Sequence, residues 1–522
     1  MNGLFLVMLV SALSGFVALG YEIVWYRVVS FVSWGMPAAF GLLLGAYLLG
    51  LALGARKAGA LCKEDASAGQ LSALRRLAGF VFAAVVLAML VVPIMCLLTV
   101  RAHWMVSLVF VVLAAGTLGA VLPLVSHFGI RPDARAGQRL SWVYLANIIG
   151  SSLGSFVTGF VWMDRYSLQT IATILAAFGF VLFAVVAVAA AGTMGRRAIA
   201  GAVAFACLSI SPRVVAATYA HVYERLAFKR QYKAQRFAEI IETKSGVITT
   251  TDDGVVYGGG AYDGKFNTDI RSDRNGILRA YGVGAMHPSP KRILMIGLAS
   301  GSWAQVLVHL PGVERVDAVE INPGYLELIS RHEEVKSLVE NPKFHTIIDD
   351  GRRYLTRHPD ERFDVVVMNT TWHWRAHSTN LLSREFMDLV RAHLAPGGIF
   401  YFNTTGSDDA QRTAALTFSD AMRVYNFMAA SDSPIVFDRT RWSHTLHAMA
   451  IDGVKVFRED DPDDRGALEG LLAYPDTLER EPENEGLESR ARIVARTKDA
   501  KLITDDNMVP EWHQIFHEPP AM

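Results

Sequence analysis

Cysteine is scarce in this chain: three in 522 residues, Cys62, Cys96 and Cys207, with none beyond position 207. That excludes a disulfide scaffold, a cysteine metal knuckle and, in the second half, a cysteine nucleophile. Charge is scarce too, at 19% of residues, and carries no net sign, with 50 Lys and Arg against 50 Asp and Glu. So apolar a chain is not generally disordered, and so balanced a one is not an overall basic nucleic-acid binder. The balance hides two opposite halves. Residues 1–211 hold 13 basic and 5 acidic side chains, a net of +8, and residues 212–522 carry the compensating −8. A chain of this length divides into domains, and the charge marks the division.

What the first part has in abundance is uninterrupted apolar sequence. The runs 3–20, 35–55, 77–100, 104–130, 141–163 and 168–194 are each long enough to cross roughly 30 Å of hydrocarbon at about 1.5 Å per residue. The first has no basic leader and further spans follow it, so it reads as a span and not as a signal peptide. The connections 56–76, 131–140 and 195–197 hold ten Lys and Arg, whereas the alternate connections hold only Arg27, Arg101 and Arg165. That asymmetry puts the first set, and the N-terminus, in the cytoplasm. The run 198–211 stops at Pro212 and Arg213 after fourteen residues and reads as interfacial, the alternative being a seventh span that would place everything after it outside the cytoplasm. Six spans then return the chain to the cytoplasm. The expected location is the inner cell membrane, multi-pass, with the bilayer as partner and the C-terminal domain cytoplasmic. Glu22 reads as a membrane-edge carboxylate paired with Arg27, a proton or amine site being the alternative. Asn147, Gly150, Ser151, Gly154, Ser155 and Gly159 form a small-residue stripe at helical spacing, which predicts a helix-packing face with Asn147 hydrogen-bonding across it.

The second part changes period twice. Residues 237–262 alternate apolar and polar positions between Gly and Asp turns, which predicts a small antiparallel sheet. From Arg292, apolar strands (293–297, 316–321, 344–348, 363–368, 399–402) alternate with helices, the pattern of a parallel, doubly wound sheet with its ligand across the strands' carboxyl ends. The organisation expected is therefore a membrane domain over 1–211, a linker and small sheet over 212–291, and an α/β domain over 292–522.

Three strand ends suit a nucleoside. Gly297, Ala299, Ser300 and Gly301 form a turn with little side chain, open to backbone approach by a ligand. Glu320 ends the second strand about twenty residues on, where a carboxylate can accept both ribose hydroxyls. Asp349-Asp350-Gly351 ends the third strand, where a carboxylate can meet an adenine amino group. Each alone is also a turn or a helix cap, but their order favours an S-adenosyl compound over NAD. After the fourth strand comes Asn369-Thr370-Thr371-Trp372-His373-Trp374-Arg375-Ala376-His377. There a histidine could act as general base and the indoles could sandwich a cation or an aliphatic chain. A His373/His377 metal pair lacks further ligands, so no metal is expected. The acidic stretch 476–488 reads as solvated surface.

These residues resemble the spermidine synthase family of polyamine aminopropyltransferases, in its membrane-fused bacterial branch. The resemblance also rests on Thr117–Leu124, Tyr144–Gly150, His287-Pro288-Ser289-Pro290-Lys291-Arg292 and Leu502–Asp506. It implies a Rossmann-like, class I methyltransferase-like S-adenosyl-binding domain. It further implies decarboxylated S-adenosylmethionine as co-substrate and an amine acceptor, with Glu320 on the ribose and Asp350 on the adenine. The departures are as informative. Where the family's glycine loop carries an aspartate for the donor's amine, this chain has Ser300. Where the family has a catalytic Asp-Ser-Ser-Asp run, it has Asn369-Thr370-Thr371-Trp372. A family glutamine in the N-terminal sheet appears as Tyr262, and a Tyr-x-Glu-like stretch falls near Asn275-Gly276-Ile277. Replacing both carboxylates by neutral groups removes several kcal/mol of charge stabilisation in a partly desolvated pocket, on the order set by buried charge pairing.

The expected function is an integral-membrane transferase that uses either S-adenosylmethionine or its decarboxylated form to alkylate an amine or lipid-like acceptor. Methyl transfer is the alternative reaction, and a non-catalytic polyamine or nucleoside transporter or sensor the alternative class. Asn369, Thr370, His373 and His377 are the expected catalytic set. Tyr262, Asp263, Trp372 and Trp374 are the expected substrate contacts. No nucleic-acid partner is expected, and a homo-oligomer is compatible with the sequence.

Overall fold

The computed structural model describes residues 3–64, 70–273, 275–369, 372–376, 378–458, 460–475, 486–507 and 511. Two compact units divide the chain, essentially residues 1–237 and 247–517.

The first unit is helical: α1 (Gly3–Val32), α2 (Pro37–Glu64), α3 (Gln70–Thr99), α4 (Leu108–Gly129), α5 (Ala136–Phe156), α6 (Leu168–Ala190), α7 (Met194–Thr218) and α8 (Val222–Phe228). Seven of its helices are long and apolar enough to cross a membrane. The seventh takes in the run 198–211, and its length is that of the spanning alternative. That run is the middle of the 25-residue α7, which continues through Pro212 to Thr218. Proline removes one N–H from the ladder, but neighbouring groups re-satisfy the turn, so an internal Pro does not end an apolar helix. The division between units accordingly falls near residue 237 and not 211, because α7 and α8 both belong to the helical unit.

The small-residue stripe does what its spacing implies. α5 lies along α1 so closely that a Cβ on Gly150 would collide with the backbone of Ala12, and one on Gly154 with that of Phe16. Asn147 Nδ2 donates to Ser11 O (3.0 Å), and Ser11 Oγ donates to Val143 O (3.1 Å). Side-chain polar groups thus bond across a seam where backbones touch, as small-residue packing allows. Arg27 donates to Met163 Sδ (3.2 Å) and does not pair with Glu22, contrary to the sequence reading.

The second unit opens with four strands, β1 (Glu239–Thr243), β2 (Gly246–Thr250), β3 (Val255–Gly258) and β4 (Ala261–Lys265), ordered β1-β2-β3-β4. The larger sheet is built from β5 (Arg292–Ile296), β6 (Arg315–Glu320), β7 (Phe344–Ile348), β8 (Phe363–Met368), β9 (Leu394–Asn403), β10 (Asp420–Val424) and β11 (Phe427–Ser431). A minor hairpin, β12 (Ala450–Ile451) with β13 (Val454–Lys455), precedes the edge strand β14 (Leu487–Ser489). The sheet runs β14-β10-β11-β9-β8-β5-β6-β7. Its strands β9, β8, β5, β6 and β7 are parallel, but β11, β10 and β14 are antiparallel, so the sheet is mixed where an all-parallel one was expected. The cause is local: Val424 pairs with Phe427 across a two-residue turn, and so short a connection can only reverse the chain.

Burial explains the apolar runs. In β5, Ile293 and Met295 enter the core on one face of the sheet, and Leu294 and Ile296 the core on the other. A strand covered on both faces has no polar alternation. The first of these cores also takes in Ile248, Val256 and Phe266 from the small sheet, so that sheet packs as part of the α/β unit.

Candidate functional site

The carboxyl ends of the parallel strands assemble the site. After β5 the chain turns through Gly297 (φ +83°), Ala299 (φ +50°) and Gly301 (φ +75°) into the helix Ser302–His309. At Gly301 glycine is doubly required, since the left-handed φ is joined by a Cβ position occupied by Ile329. Ala299 holds the left-handed conformation despite its Cβ, a local strain of the kind that persists at functional loops.

Glu320 ends β6 and is 4% exposed. Its Oε2 accepts from Leu298 N (2.7 Å) and its Oε1 from Asn322 N (2.8 Å), which ties the glycine turn to the end of β6. Burial pushes its carboxyl up to about 7, against the opposing pull of those backbone donors and with help from the nearby Asp263. After β7, Asp350 Oδ1 accepts from Arg353 N (2.8 Å) and caps the helix Gly351–Arg357. Asp349 accepts from Asp350 N (2.7 Å) and pairs with Arg353. Burial alone would raise the Asp349 carboxyl, but Arg353 and the Asp350 amide outweigh it and hold it low. Both aspartates therefore already serve local structure, the helix-cap role included.

A cavity of about 240 Å³ lies beside this loop. It gathers Gly297, Ala299 and Ser300 with Tyr262 and Asp263 of the small sheet and Asn369 at the end of β8. Glu320, Asp349 and Asp350 stand outside its lining. Ser300 is buried and tied down, its hydroxyl bonded to Lys265 O (3.0 Å) and Ser302 Oγ (3.0 Å). Asp263 accepts a hydrogen bond from Tyr325 Oη, and its carboxyl is raised by burial, partly offset by that bond and by Arg375.

The loop after β8 differs from the sequence reading. Thr370 and His377 lie outside the described residues. His373 is partly buried and, like Glu320 and Asp350, is not part of the cavity lining. Trp374 is buried, and Trp372 meets it with ring centroids 6.0 Å apart at 46°. Trp372 anchors the loop, its indole N–H donating to Tyr262 O (3.1 Å), and Arg375 adds a bond to Gly258 O (3.1 Å). Among the described residues no group of three or more His, Cys, Asp or Glu is placed to hold a metal.

Sequence reading missed Arg279, Asn403 and Asn426, which also line the cavity. Asn403 carried a usable signal, because it ends the apolar run of β9 as Asn369 ends β8. Arg279 and Asn426 carried none. A second cavity, of about 690 Å³, adjoins the first through Gly276, Arg279, Thr405 and Asn426, which line both. In its wall, Glu488 is buried between Arg423 Nε (2.7 Å) and Arg496 Nε (2.9 Å). That corrects the reading of 476–488 as solvated at its C-terminal end; 476–485 lie outside the described residues.

Residues 281–430 match the spermine/spermidine synthase domain family. A polyamine aminopropyltransferase of Agathobacter rectalis is 33% identical over 119 residues, 23% of this chain and 41% of that protein. One from Mycobacterium tuberculosis is 25% identical over 312 residues, 55% of this chain and 56% of that protein. An eEF1A lysine and N-terminal methyltransferase homolog of Drosophila melanogaster is 28% identical over 133 residues, 24% of this chain and 19% of that protein. The chain thus spans 41%, 56% and 19% of the length of these three relatives.

Proposed function

We propose, from the membership of this chain in the spermidine synthase-like family, that it is an integral-membrane transferase which moves an alkyl group from an S-adenosyl donor to an amine or lipid-like acceptor. The supporting observation is the cavity in which the glycine turn, Tyr262, Asp263 and Asn369 meet at the strand ends. The donor is decarboxylated S-adenosylmethionine or S-adenosylmethionine. Glu320 takes the ribose and Asp350 the adenine, each through lone pairs left over from its backbone bonds.

In the reaction, the acceptor's lone pair attacks the carbon bound to the sulfonium sulfur and a new bond forms to that carbon. The C–S bond breaks with its electrons passing to sulfur, which leaves a neutral thioether. The acceptor's proton goes to Asp263, the carboxylate lining the cavity, whose affinity for protons is raised by burial. Asn369 orients the acceptor in place of a family carboxylate. Aminopropyl transfer leaves 5′-methylthioadenosine; methyl transfer, the second reading, is favoured by the uncharged Ser300 where the family seats the donor's amine.

Calorimetry of the purified full chain with 5′-methylthioadenosine, the nucleoside part common to both donors, tests the nucleoside reading. Saturable binding is expected, and no binding up to millimolar ligand overturns it. Mass spectrometry of reaction mixtures then separates methylthioadenosine from S-adenosylhomocysteine as the product.

Seven crossings, with the basic connections in the cytoplasm, leave the C-terminal unit on the opposite face. This reverses the cytoplasmic location that six crossings implied, and the enzyme then draws its donor from outside the cytoplasm. A C-terminal alkaline phosphatase fusion in a bacterial host should be active and a green fluorescent protein fusion dark. The opposite pattern restores the six-span arrangement.

A further inference from the structure

Arg279 stands where the two cavities meet. Its Nε donates to Gly276 O (3.1 Å), one Nη donates to Asn426 Oδ1, and the guanidinium carbon lies 4.9 Å from the centroid of the Phe427 ring. Among the described residues it forms no ion pair. Asp273, the carboxylate in electrostatic reach, accepts from Leu278 N (2.9 Å) instead. From Arg279 a one-way relay of amides crosses the strand ends. Asn426 Nδ2 donates to Asn403 Oδ1 (2.9 Å), and Asn403 Nδ2 donates to Asn369 Oδ1 (3.0 Å). Each side-chain oxygen in the relay accepts from the Arg279 side, and Asn403 Oδ1 also takes Thr405 N (2.8 Å). The amide nitrogen of Asn369 stands at its far end, a donor at the position where the family resemblance puts a catalytic carboxylate.

Resting on the nucleoside reading above, we propose that this half of the cleft binds a carboxylate. A guanidinium without an ion-pair partner among the described residues, its charge only partly offset by Asp273 in the larger cavity and Asp263 in the smaller, repels an ammonium group and matches a carboxylate through its donors. The carboxylate has two sources. It is either the donor's own, present in S-adenosylmethionine and absent from its decarboxylated form, or that of an acidic acceptor entering from the larger cavity.

Calorimetry on the full chain in detergent distinguishes these. Methylthioadenosine, which carries no ionised group, should bind wild type and Arg279→Gln within about threefold, since Arg279 touches only the charged end. If the donor supplies the carboxylate, wild type prefers S-adenosylmethionine to the decarboxylated donor by at least about tenfold, and Arg279→Gln loses that preference. If the acceptor supplies it, the donors bind alike, and malonate titrated into methylthioadenosine-saturated protein binds wild type and not Arg279→Gln. Arg279→Lys, which keeps charge without the fork, should retain part of either effect, and it carries the comparison if the glutamine variant no longer binds methylthioadenosine. Methylthioadenosine binding with neither effect overturns the carboxylate subsite and spares the nucleoside reading. Absence of methylthioadenosine binding to wild type overturns both.

Discussion

Replacing Asp263 by asparagine should lower the rate of group transfer by at least about 10²-fold, the lower end of what a positioned base contributes, while methylthioadenosine affinity stays within about threefold of wild type. Asp263 is the one carboxylate among the described residues lining the smaller cavity, and neither Asn369 nor Ser300 can take a proton at neutral pH. Asparagine keeps the shape and can still accept from Tyr325 Oη, so a loss of rate without a loss of nucleoside binding isolates the proton transfer. Single-turnover rates with saturating donor provide the measurement. A variant within threefold of wild-type rate removes Asp263 from the reaction and returns the role of base to the loop that carries His373.

Nucleoside affinity should fall about tenfold between pH 8 and pH 6, and Glu320→Gln should bind weakly at both pH values, because a charge-assisted hydrogen bond exceeds a neutral one by roughly 1–1.5 kcal/mol. The physical cause is the burial that lifts the Glu320 carboxyl to about 7. Above that value the carboxylate accepts from both ribose hydroxyls; below it a proton occupies one lone pair. Stability has the opposite slope. The folded protein holds this proton between its unfolded value of 4.5 and about 7, whereas the unfolded chain has released it, so the contribution of Glu320 to stability falls as pH rises through that window. Glu320→Gln should remove this component of the slope in thermal unfolding at pH 5 and pH 8. Asp263→Asn should move the midpoint of the binding profile downward, because the Asp263 charge is one of the causes that raise it. A flat binding profile in the wild type would exclude Glu320 as the ribose ligand.

Much of this protein was legible from its sequence, for reasons of local physics. A long uninterrupted apolar stretch satisfies its backbone within itself as a helix, so the six runs were legible as long apolar helices. Ile293–Ile296, buried on both faces, has no polar alternation to confuse its reading. The stripe from Asn147 to Gly159 marked the α1–α5 seam because close backbones exclude side chains at one helical period. The glycine turn and Glu320 were legible as strand ends because strand–turn–helix alternation places them after β5 and β6.

Other features depended on distance along the chain or on context. Pro212 reads as a helix stop in sequence, but α7 continues through it to Thr218. The antiparallel edge follows from one two-residue turn at Tyr425-Asn426, too short a signal beside so many strand–helix alternations. Asp263 and Asn369 were named from sequence, but only the converging strand ends set them around one cavity and left His373 out of it. Arg279, Asn369, Asn403 and Asn426 span almost 150 residues and share no motif. Hydrophobic periodicity records which side of an element is buried; it holds no information about which polar ends meet. The strand ends with their glycine turn were therefore readable in one dimension, while only folding brought a guanidinium and three amides into one hydrogen-bonded line.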